Sequence, residues 1–558
     1  MIGKFVLFLG LALCSASFAD GLYQRFLVRM KKVQAPRSPG KNGITRSIKE
    51  QGKASLAPLL KAFRSLEPKA LSGPRAPRSV PIRSVNELWL INSASVVCRS
   101  DYTEKLKLIA GVEEIYPDEK VVLSTDDSGG AGILSDENRK GVSTLHAEGL
   151  RGQGVKIGII DTGIIEHVAF GKRISAYRDF TAKPAAGPVD PVGHGTHVAG
   201  TLAGGSYKER ILGVAPESEL VVARVLEPVS KSGSTTEVQQ RIEAFASRIL
   251  NAMQWMVDPD GDPSTDDYPA IINNSWGFPQ KFPITRQLFE EALNRWAELG
   301  ILPIFAAGND GKKGEGSILF PGSTSQVITV GALKDSKRAY FSGMGTAKSK
   351  KPDFMAPGYR VYSLKKFGNK TLLGPMSGTS MATPYVAGLT ALLRQMDPYM
   401  SFQEVYEVLK ESAVDLGARG WDTGHGWGKP DSETIYSHMK KKTRSKFSKG
   451  GKSGFRYYRR FYLEWQKTRD PSIQRSLINV ELGLLAFAEK HSQPSSKERN
   501  PILVLWLNEL EKLANSEPEL FAPLRGRILK RIRFISIPGT EPEIPGDDSE
   551  EKEISSPQ

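Results

Sequence analysis

Four residues from distant parts of the chain are of types that together could cleave an acyl bond. Asp161 ends the apolar run Ile159-Ile160-Asp161-Thr162-Gly163, where a buried strand delivers a side chain to its carboxyl end. His194 lies in Gly193-His194-Gly195-Thr196-His197-Val198-Ala199-Gly200, and Ser380 in Ser377-Gly378-Thr379-Ser380-Met381-Ala382-Thr383-Pro384. A serine hydroxyl is a poor nucleophile at its free pKa and needs a base. An imidazole supplies one, and a buried carboxylate holds that imidazole in one tautomer and stabilises its charged form. The run Met381–Arg394 predicts a helix starting at Ser380. A backbone N–H there, with the side-chain amide of Asn309 in Ala306-Ala307-Gly308-Asn309-Asp310, would bind the oxyanion of a tetrahedral intermediate. Taken singly, an Asp at a strand end or a Ser at a helix start is ordinarily a cap or turn residue. Three extended motifs joined by Asn309 argue for catalysis instead. His197, one turn after His194 on the same expected helix, is assigned to packing or hydrogen bonding.

Something must hold these residues at one place. Val155–Ile160, Leu220–Leu226, Ala270–Asn274, Ile301–Ala306 and Val327–Val330 are near-continuous apolar runs, as parallel strands covered on both faces require. Between them Val238, Ile242, Phe245, Ile249 and Met256 keep helical spacing, predicting one of the covering helices. The expected fold of residues 142–437 is therefore α/β, a central parallel sheet flanked by helices.

The three motifs, in the order Asp, His, Ser, resemble those of the subtilisin-type serine proteases, which differ in that order from the chymotrypsin and α/β-hydrolase arrangements. The resemblance implies a subtilisin-like endopeptidase, made as a zymogen, that hydrolyses peptides or proteins through an acyl-enzyme on Ser380. Ile272-Asn273-Asn274-Ser275-Trp276-Gly277 resembles the family's substrate strand, which pairs with an extended peptide, and Ser232-Gly233-Ser234 resembles the strand facing it. By the same resemblance Trp276 and Leu319 would border the primary pocket. An inward Leu319 shortens that pocket and favours small or medium apolar side chains; a Leu319 in the core is the alternative. No cofactor is required for the chemistry. Asp258-Pro259-Asp260-Gly261-Asp262, followed by Asp266 and Asp267, concentrates hard oxygen ligands as a structural calcium site would, although it is not an EF-hand loop. A solvated acidic turn is the other reading. The family's asparagine-rich calcium loop is replaced within Gly204–Ile211 by Tyr207-Lys208-Glu209-Arg210.

The flanks carry their own signals. Lys4 before the apolar run Phe5–Leu13, and Ser17-Phe18-Ala19, predict a signal peptide over 1–19 and a secreted, cell-envelope or periplasmic protein. The run is too short for a membrane anchor. Residues 20–125 read as a small α+β unit: a strand Tyr23–Met30, a helix Ser47–Leu66, two strands within Asn86–Cys98 meeting near Asn92, a helix Tyr102–Ile109 stopped by Gly111, and a strand Val112–Tyr116. Its stretch Leu106–Asp118 resembles the family's inhibitory propeptide, a ferredoxin-like folding chaperone and inhibitor; a retained accessory domain is the alternative. Residues 126–141 read as a linker with a processing site, 438–460 as a basic linker, 461–537 as a helical C-terminal extension built on three apolar stripes, and 538–558 as a disordered acidic tail.

Composition sets outer limits. A chain of 558 residues with 39% hydrophobic content is not wholly disordered. Its only cysteines, Cys14 and Cys98, exclude a disulfide framework and a thiolate zinc site. Lys plus Arg number 76 against 61 Asp plus Glu, an excess that allows contact with anionic surfaces, with the basic linker as the place for it. Tyr457, Tyr458 and Phe461 are too few for base stacking, so no nucleic-acid partner is expected. The competing class is a non-enzymatic surface-binding protein on a protease scaffold; the intact Asp161, His194, Ser380 and Asn309 speak against it.

Overall fold

Strand β1 (Tyr23–Met30), helix α1 (Lys41–Leu66), strands β2 (Ile82–Leu88) and β3 (Ser93–Arg99), the short helix α2 (Thr103–Lys107) and strand β4 (Val112–Pro117) form the first folded part of the chain. The computed structural model describes residues 23–33, 41–66, 81–123, 140–228, 242–263, 265, 267–279, 283–367, 370–396 and 400–439. The four strands make an antiparallel sheet in the order β2-β3-β1-β4, the split βαβ arrangement of ferredoxin-like units. The expected meeting point of β2 and β3 holds: Asn92 turns there with φ 48°, a left-handed conformation that asparagine tolerates. Strand β5 (Lys120–Leu123) then leaves this sheet.

The central domain follows in chain order as α3 (Lys140–Ala147), β6 (Lys156–Asp161), β7 (Ile174–Asp179), α4 (His194–Ala203), β8 (Ser206–Tyr207), β9 (Arg210–Ile211), β10 (Glu219–Arg224), β11 (Glu227–Pro228), β12 (Ile242–Phe245), α5 (Ala246–Trp255), β13 (Ile271–Asn274), α6 (Pro283–Glu298), β14 (Leu302–Ala306), β15 (Ile328–Lys334), β16 (Lys337–Arg338), β17 (Phe354–Pro357), β18 (Val361–Phe367), β19 (Lys370–Met376), α7 (Thr379–Met396) and α8 (Phe402–Glu411). Seven parallel strands run in the order β7-β10-β6-β13-β14-β15-β17, with β16 antiparallel against the end of β15. The expected α/β fold is the observed one.

Both faces of this sheet are dry. Ile157, Ile159, Val222, Ile304 and Val330 pack with Val198 and Leu202 of α4 and Val386 and Leu389 of α7. Their neighbours Ile160, Val221, Ile272 and Phe305 point the other way, into one apolar cluster with Ile249 and Met253 of α5 and Leu293 and Trp296 of α6. This alternation with both sets apolar is why the strands read as continuous hydrophobic runs. Each such side chain contributes about 1.5–3 kcal/mol by burial. The second cluster also takes in Leu27, Leu56, Trp89, Leu90 and Ile91, so the N-terminal unit shares a core with α5 and α6.

One expected element is corrected. Helical spacing at Val238, Ile242 and Phe245 predicts a helix there, but Ile242–Phe245 is strand β12 and the helix begins only at Ala246. β12 lies between β11 and β5 and pairs antiparallel with both. The first turn of α5 is capped from the N-terminal unit: Asp118 accepts from the Ser247 N–H at 2.9 Å and from its hydroxyl, and the Ala246 N–H donates to the Glu119 carbonyl at 2.8 Å. Where the family's calcium loop would stand, β8 and β9 form a tight hairpin whose two turn residues, Lys208 and Glu209, have φ 48° and 62°, a two-residue turn of the primed kind.

The chain divides into two units, residues 1–444 and 445–558. The second, with the expected helical extension and acidic tail, lies outside the described residues, as do the signal segment 1–19, residues 126–139 of the linker and almost all of 438–460. Among the described residues no helix is long and apolar enough to cross a membrane.

Candidate active site

β6 sits at the centre of the sheet, between β10 and β13, where the strand order switches direction; loops at the carboxyl ends of strands open a crevice at such a point. Asp161 ends β6 and is fully buried. Its Oδ1 accepts from the Thr162 N–H at 2.7 Å and stands 2.7 Å from Nδ1 of His194, the first residue of α4. A carboxylate there accepts a hydrogen bond from Nδ1–H and keeps the proton on that nitrogen, which leaves Nε2 as the basic nitrogen. Burial acts most strongly on His194 and disfavours its charge, but the Asp161 charge, its hydrogen bond and the nearby Asp190 together more than offset this, so the imidazole pKa lies above its ordinary 6.5.

Asp190 is a residue the motifs do not contain. Its buried carboxylate accepts at Oδ1 from the Thr162 hydroxyl (2.8 Å) and the Gly193 N–H (2.7 Å), and at Oδ2 from the Thr196 N–H (2.8 Å) and hydroxyl (2.7 Å). The Thr162 hydroxyl in turn accepts from the Gly195 N–H at 2.9 Å. Asp190 thus caps the first turn of α4 and ties it to the residue following Asp161. An acid four residues before His194, at a helix start, was the available signal.

Helix α7 packs beside α4 and begins one residue before Ser380. Ser380 and Ser275 clasp each other: the Ser380 hydroxyl donates to the Ser275 carbonyl at 3.1 Å, and the Ser275 hydroxyl donates to the Ser380 carbonyl at 3.0 Å. Asn309 follows β14. Its Oδ1 accepts from the Thr379 N–H and hydroxyl, each at 3.0 Å, and the Thr379 hydroxyl accepts from the Gly308 N–H at 3.1 Å. With its carbonyl committed to Thr379, the amide presents Nδ2 on the other side, 3.3 Å from where a Cβ on Gly378 would stand. Asp161 and His194 are thus brought into contact, and Ser275, Asn309 and Ser380 gather at the start of α7.

His197 takes a different place. Its Nε2 lies 3.0 Å from the Val361 carbonyl and 3.3 Å from that of Gly374, bridging β18 and β19, and burial pushes its pKa down to about 3. It stays neutral and holds the hairpin.

Of the expected substrate-binding residues, Leu319 is wedged between Gly277 and Gly308. A Cβ at Gly308 would stand 2.5 Å from Leu319 Cγ, and one at Gly277 2.8 Å from Leu319 Cβ. Both positions need glycine because Leu319 fills the space a side chain would use. The indole of Trp276 is buried in the core, edge-on to Phe305 with ring centres 5.1 Å apart and beside Phe289. Gly233 lies outside the described residues. Among the described residues β12 pairs with an extended segment, its Ile242–Phe245 facing Leu123–Lys120 of β5; its helix-like apolar spacing hid it.

The acidic loop is also regrouped. Asp258, Asp260 and Asp267 place carboxylate oxygens within 4.8 Å of one another. Asp262, expected in this group, does not join it: its N–H donates to Asp260 Oδ1, while Asp267 folds back to accept from the Asp260 N–H at 2.7 Å. Burial first, then repulsion from Asp260 and Asp258, pushes Asp267 up to about 6. Among the described residues Asp258 Oδ1 and Asp267 Oδ1 are buried without a partner, and Asp258 Oδ2 is paired with the ammonium of Lys49 from α1, which also donates to the Gly261 carbonyl at 3.0 Å. A crowded, partly orphaned oxygen set fits a hard divalent cation.

Comparison with known proteins agrees with this geometry. The profile of the subtilase family matches residues 152–428. The chain is 32% identical over 340 residues to the alkaline protease of Alkalihalobacillus alcalophilus, an alignment covering 61% of this chain and 78% of that protein. It is 35% identical over 274 residues to subtilisin Savinase of Lederbergia lenta, covering 49% and 88%. With the subtilisin-like protease PopC of Myxococcus xanthus it shares 34% over 309 residues, 51% of this chain and 61% of that protein. The chain belongs to the subtilase family of serine endopeptidases.

Proposed function

We propose that this protein is an exported endopeptidase, made as a zymogen, that cleaves peptide bonds by an acyl-enzyme mechanism. The observation that carries the reading is the buried Asp161–His194 pair beside the start of the helix that bears Ser380. In this mechanism His194 Nε2 takes the proton of the Ser380 hydroxyl as its oxygen attacks the substrate carbonyl. Asp161 stabilises the imidazolium that forms and keeps its proton on Nδ1. The Ser380 N–H and Asn309 Nδ2 bind the oxyanion. His194 then gives its proton to the leaving amine, and water repeats the sequence on the acyl-enzyme.

Substrate is an extended peptide or protein segment that pairs with β12 and with Ser275–Gly277, and Leu319 restricts the primary pocket to small or medium apolar side chains. Residues 1–19 act as the export signal, which delivers the protein outside the cytoplasm. Residues 20–125 act as an inhibitor and folding aid in cis, and processing falls within 126–141. The contact of β5 with β12 supports this, because an inhibitor that ends in a substrate-like strand blocks the strand a substrate needs. The basic linker 438–460 and the extension 461–537 follow the catalytic domain in sequence. Asp258, Asp260 and Asp267 would hold a structural calcium ion, which supplies stability and takes no part in bond cleavage. Casein cleavage by the wild type, lost in Ser380→Ala, tests the activity; N-terminal sequencing of the product tests the zymogen.

A further inference from the structure

A cavity of about 610 Å³ lies between α3, the segment Glu209–Val214, β18 and α7. It is separate from the site above: Asp161, His194, Ser380 and Asn309 are not among the residues that line it. About half of its lining is apolar, and Val142, Val214, Val361 and Met381 belong to that half. Polar side chains share the lining, and two of them bear on a ligand. Arg360 lines the cavity, and its Nε and Nη2 are buried with no hydrogen-bond acceptor among the described residues. Tyr385, on α7, lines the same space, and its hydroxyl makes no hydrogen bond among the described residues. Burial raises its pKa well above the ordinary tyrosine value, so it remains a donor.

The ionic balance of the rim favours an anion. Arg151 is already paired with Glu217. Of the other charged residues that line the cavity, two are the cations Arg210 and Arg360 and one is the acid Glu209. Guanidinium N–H groups withdrawn from water without an acceptor are costly, and a carboxylate is the group whose two oxygens match their fork. Inorganic phosphate would satisfy the charge but leave the aliphatic walls unused. We propose that this cavity binds a small carboxylate with an aliphatic body, the carboxylate on Arg360 and the Tyr385 hydroxyl, the body against Val142, Val214, Val361 and Met381.

The test uses full-length protein carrying Ser380→Ala, to prevent self-digestion, with hexanoate as probe in titration calorimetry and thermal unfolding. Hexanoate binds saturably and raises the unfolding temperature, whereas hexan-1-ol and inorganic phosphate bind far more weakly. Arg360→Gln weakens hexanoate binding by about 10- to 100-fold, the cost of losing a charge-assisted pair. Tyr385→Phe, which keeps the packing of α7, weakens it about 5- to 10-fold and decides the matter if Arg360→Gln does not fold. Absence of saturable binding, hexan-1-ol or phosphate binding as well as hexanoate, or an unchanged affinity in the folded variants overturns the proposal.

Discussion

Asn309 and Thr379 are joined twice, the asparagine Oδ1 accepting both the backbone N–H and the hydroxyl of the threonine at 3.0 Å. A single bond would let the amide swing; two bonds from one residue fix which way it faces. Nδ2 is thereby aimed without any contact to substrate, the kind of preorganisation that makes an oxyanion donor effective.

Asn309→Ala should lower kcat by about 100- to 1000-fold with little change in KM, the cost measured for such a donor in a subtilase. Thr379→Val, which removes the hydroxyl bond and leaves Asn309 in place, should lower kcat by about 10-fold. Steady-state kinetics on one peptide substrate checks both. Wild-type kcat in Thr379→Val would show that the threonine does not hold the amide.

In the proposed mechanism His194 must be neutral to act as the base, and the charge of Asp190 helps to raise its pKa above 6.5. Activity should therefore rise with pH through a point above 6.5. In Asp190→Asn that acid limb of kcat/KM should move to lower pH, because a negative charge that favours the imidazolium is gone. The maximum rate should also fall, since the cap of α4 is weakened. A pH–rate profile with an unmoved acid limb would remove Asp190 from the electrostatics of the site.

Leu319→Gly should empty the space between Gly277 and Gly308. The ratio of kcat/KM for a substrate with Phe at the primary position over one with Ala should rise by about 10- to 200-fold, the range open to a change in apolar fit. Paired peptide substrates measure it. A wild-type profile led by Lys or Arg would contradict the role given to Leu319.

Burial pushes Asp118 up to about 6, against the opposing hydrogen bonds of Ser247 and the charges of Arg25 and Arg248. A folded-state pKa above the free value of 3.8 means a contribution fully present below that value and lost as pH rises through 6. In the Ser380→Ala background, the stability difference between Asp118 and Asp118→Asn proteins should shift by about 2 kcal/mol between pH 4 and 7. Urea unfolding across that range checks it, and a constant difference would mean that the carboxyl stays ionised when buried.

What was legible follows from how local each signal is. Asp161, His194, Asn309 and Ser380 sit in short glycine-flanked motifs at strand ends and helix starts, so neighbouring residues announce them. The strands of the central sheet were readable because apolar burial on both faces leaves continuous runs. β12 was not: Ile242 and Phe245 keep helical spacing, and their extended state depends on pairing with β5, more than a hundred residues earlier. The start of α5 was hidden for the same reason, since its cap, Asp118, comes from the N-terminal unit. Asp267 rather than Asp262 joins Asp258 and Asp260 because the loop folds back on itself, which spacing along the chain does not reveal. Trp276 stands beside the site in sequence, but its indole belongs to the core with Phe305.

The central claim is that Ser380 attacks peptide bonds with His194 as its base, first within its own chain and then in substrates. The most direct measurement incubates purified wild-type protein beside Ser380→Ala and follows N-terminal sequence, mass and casein cleavage together. The account predicts that the wild type trims itself between residues 126 and 141 and digests casein, while Ser380→Ala stays whole and inactive. A wild type that stays intact and inactive, or a Ser380→Ala protein that still trims itself and digests casein, would contradict it.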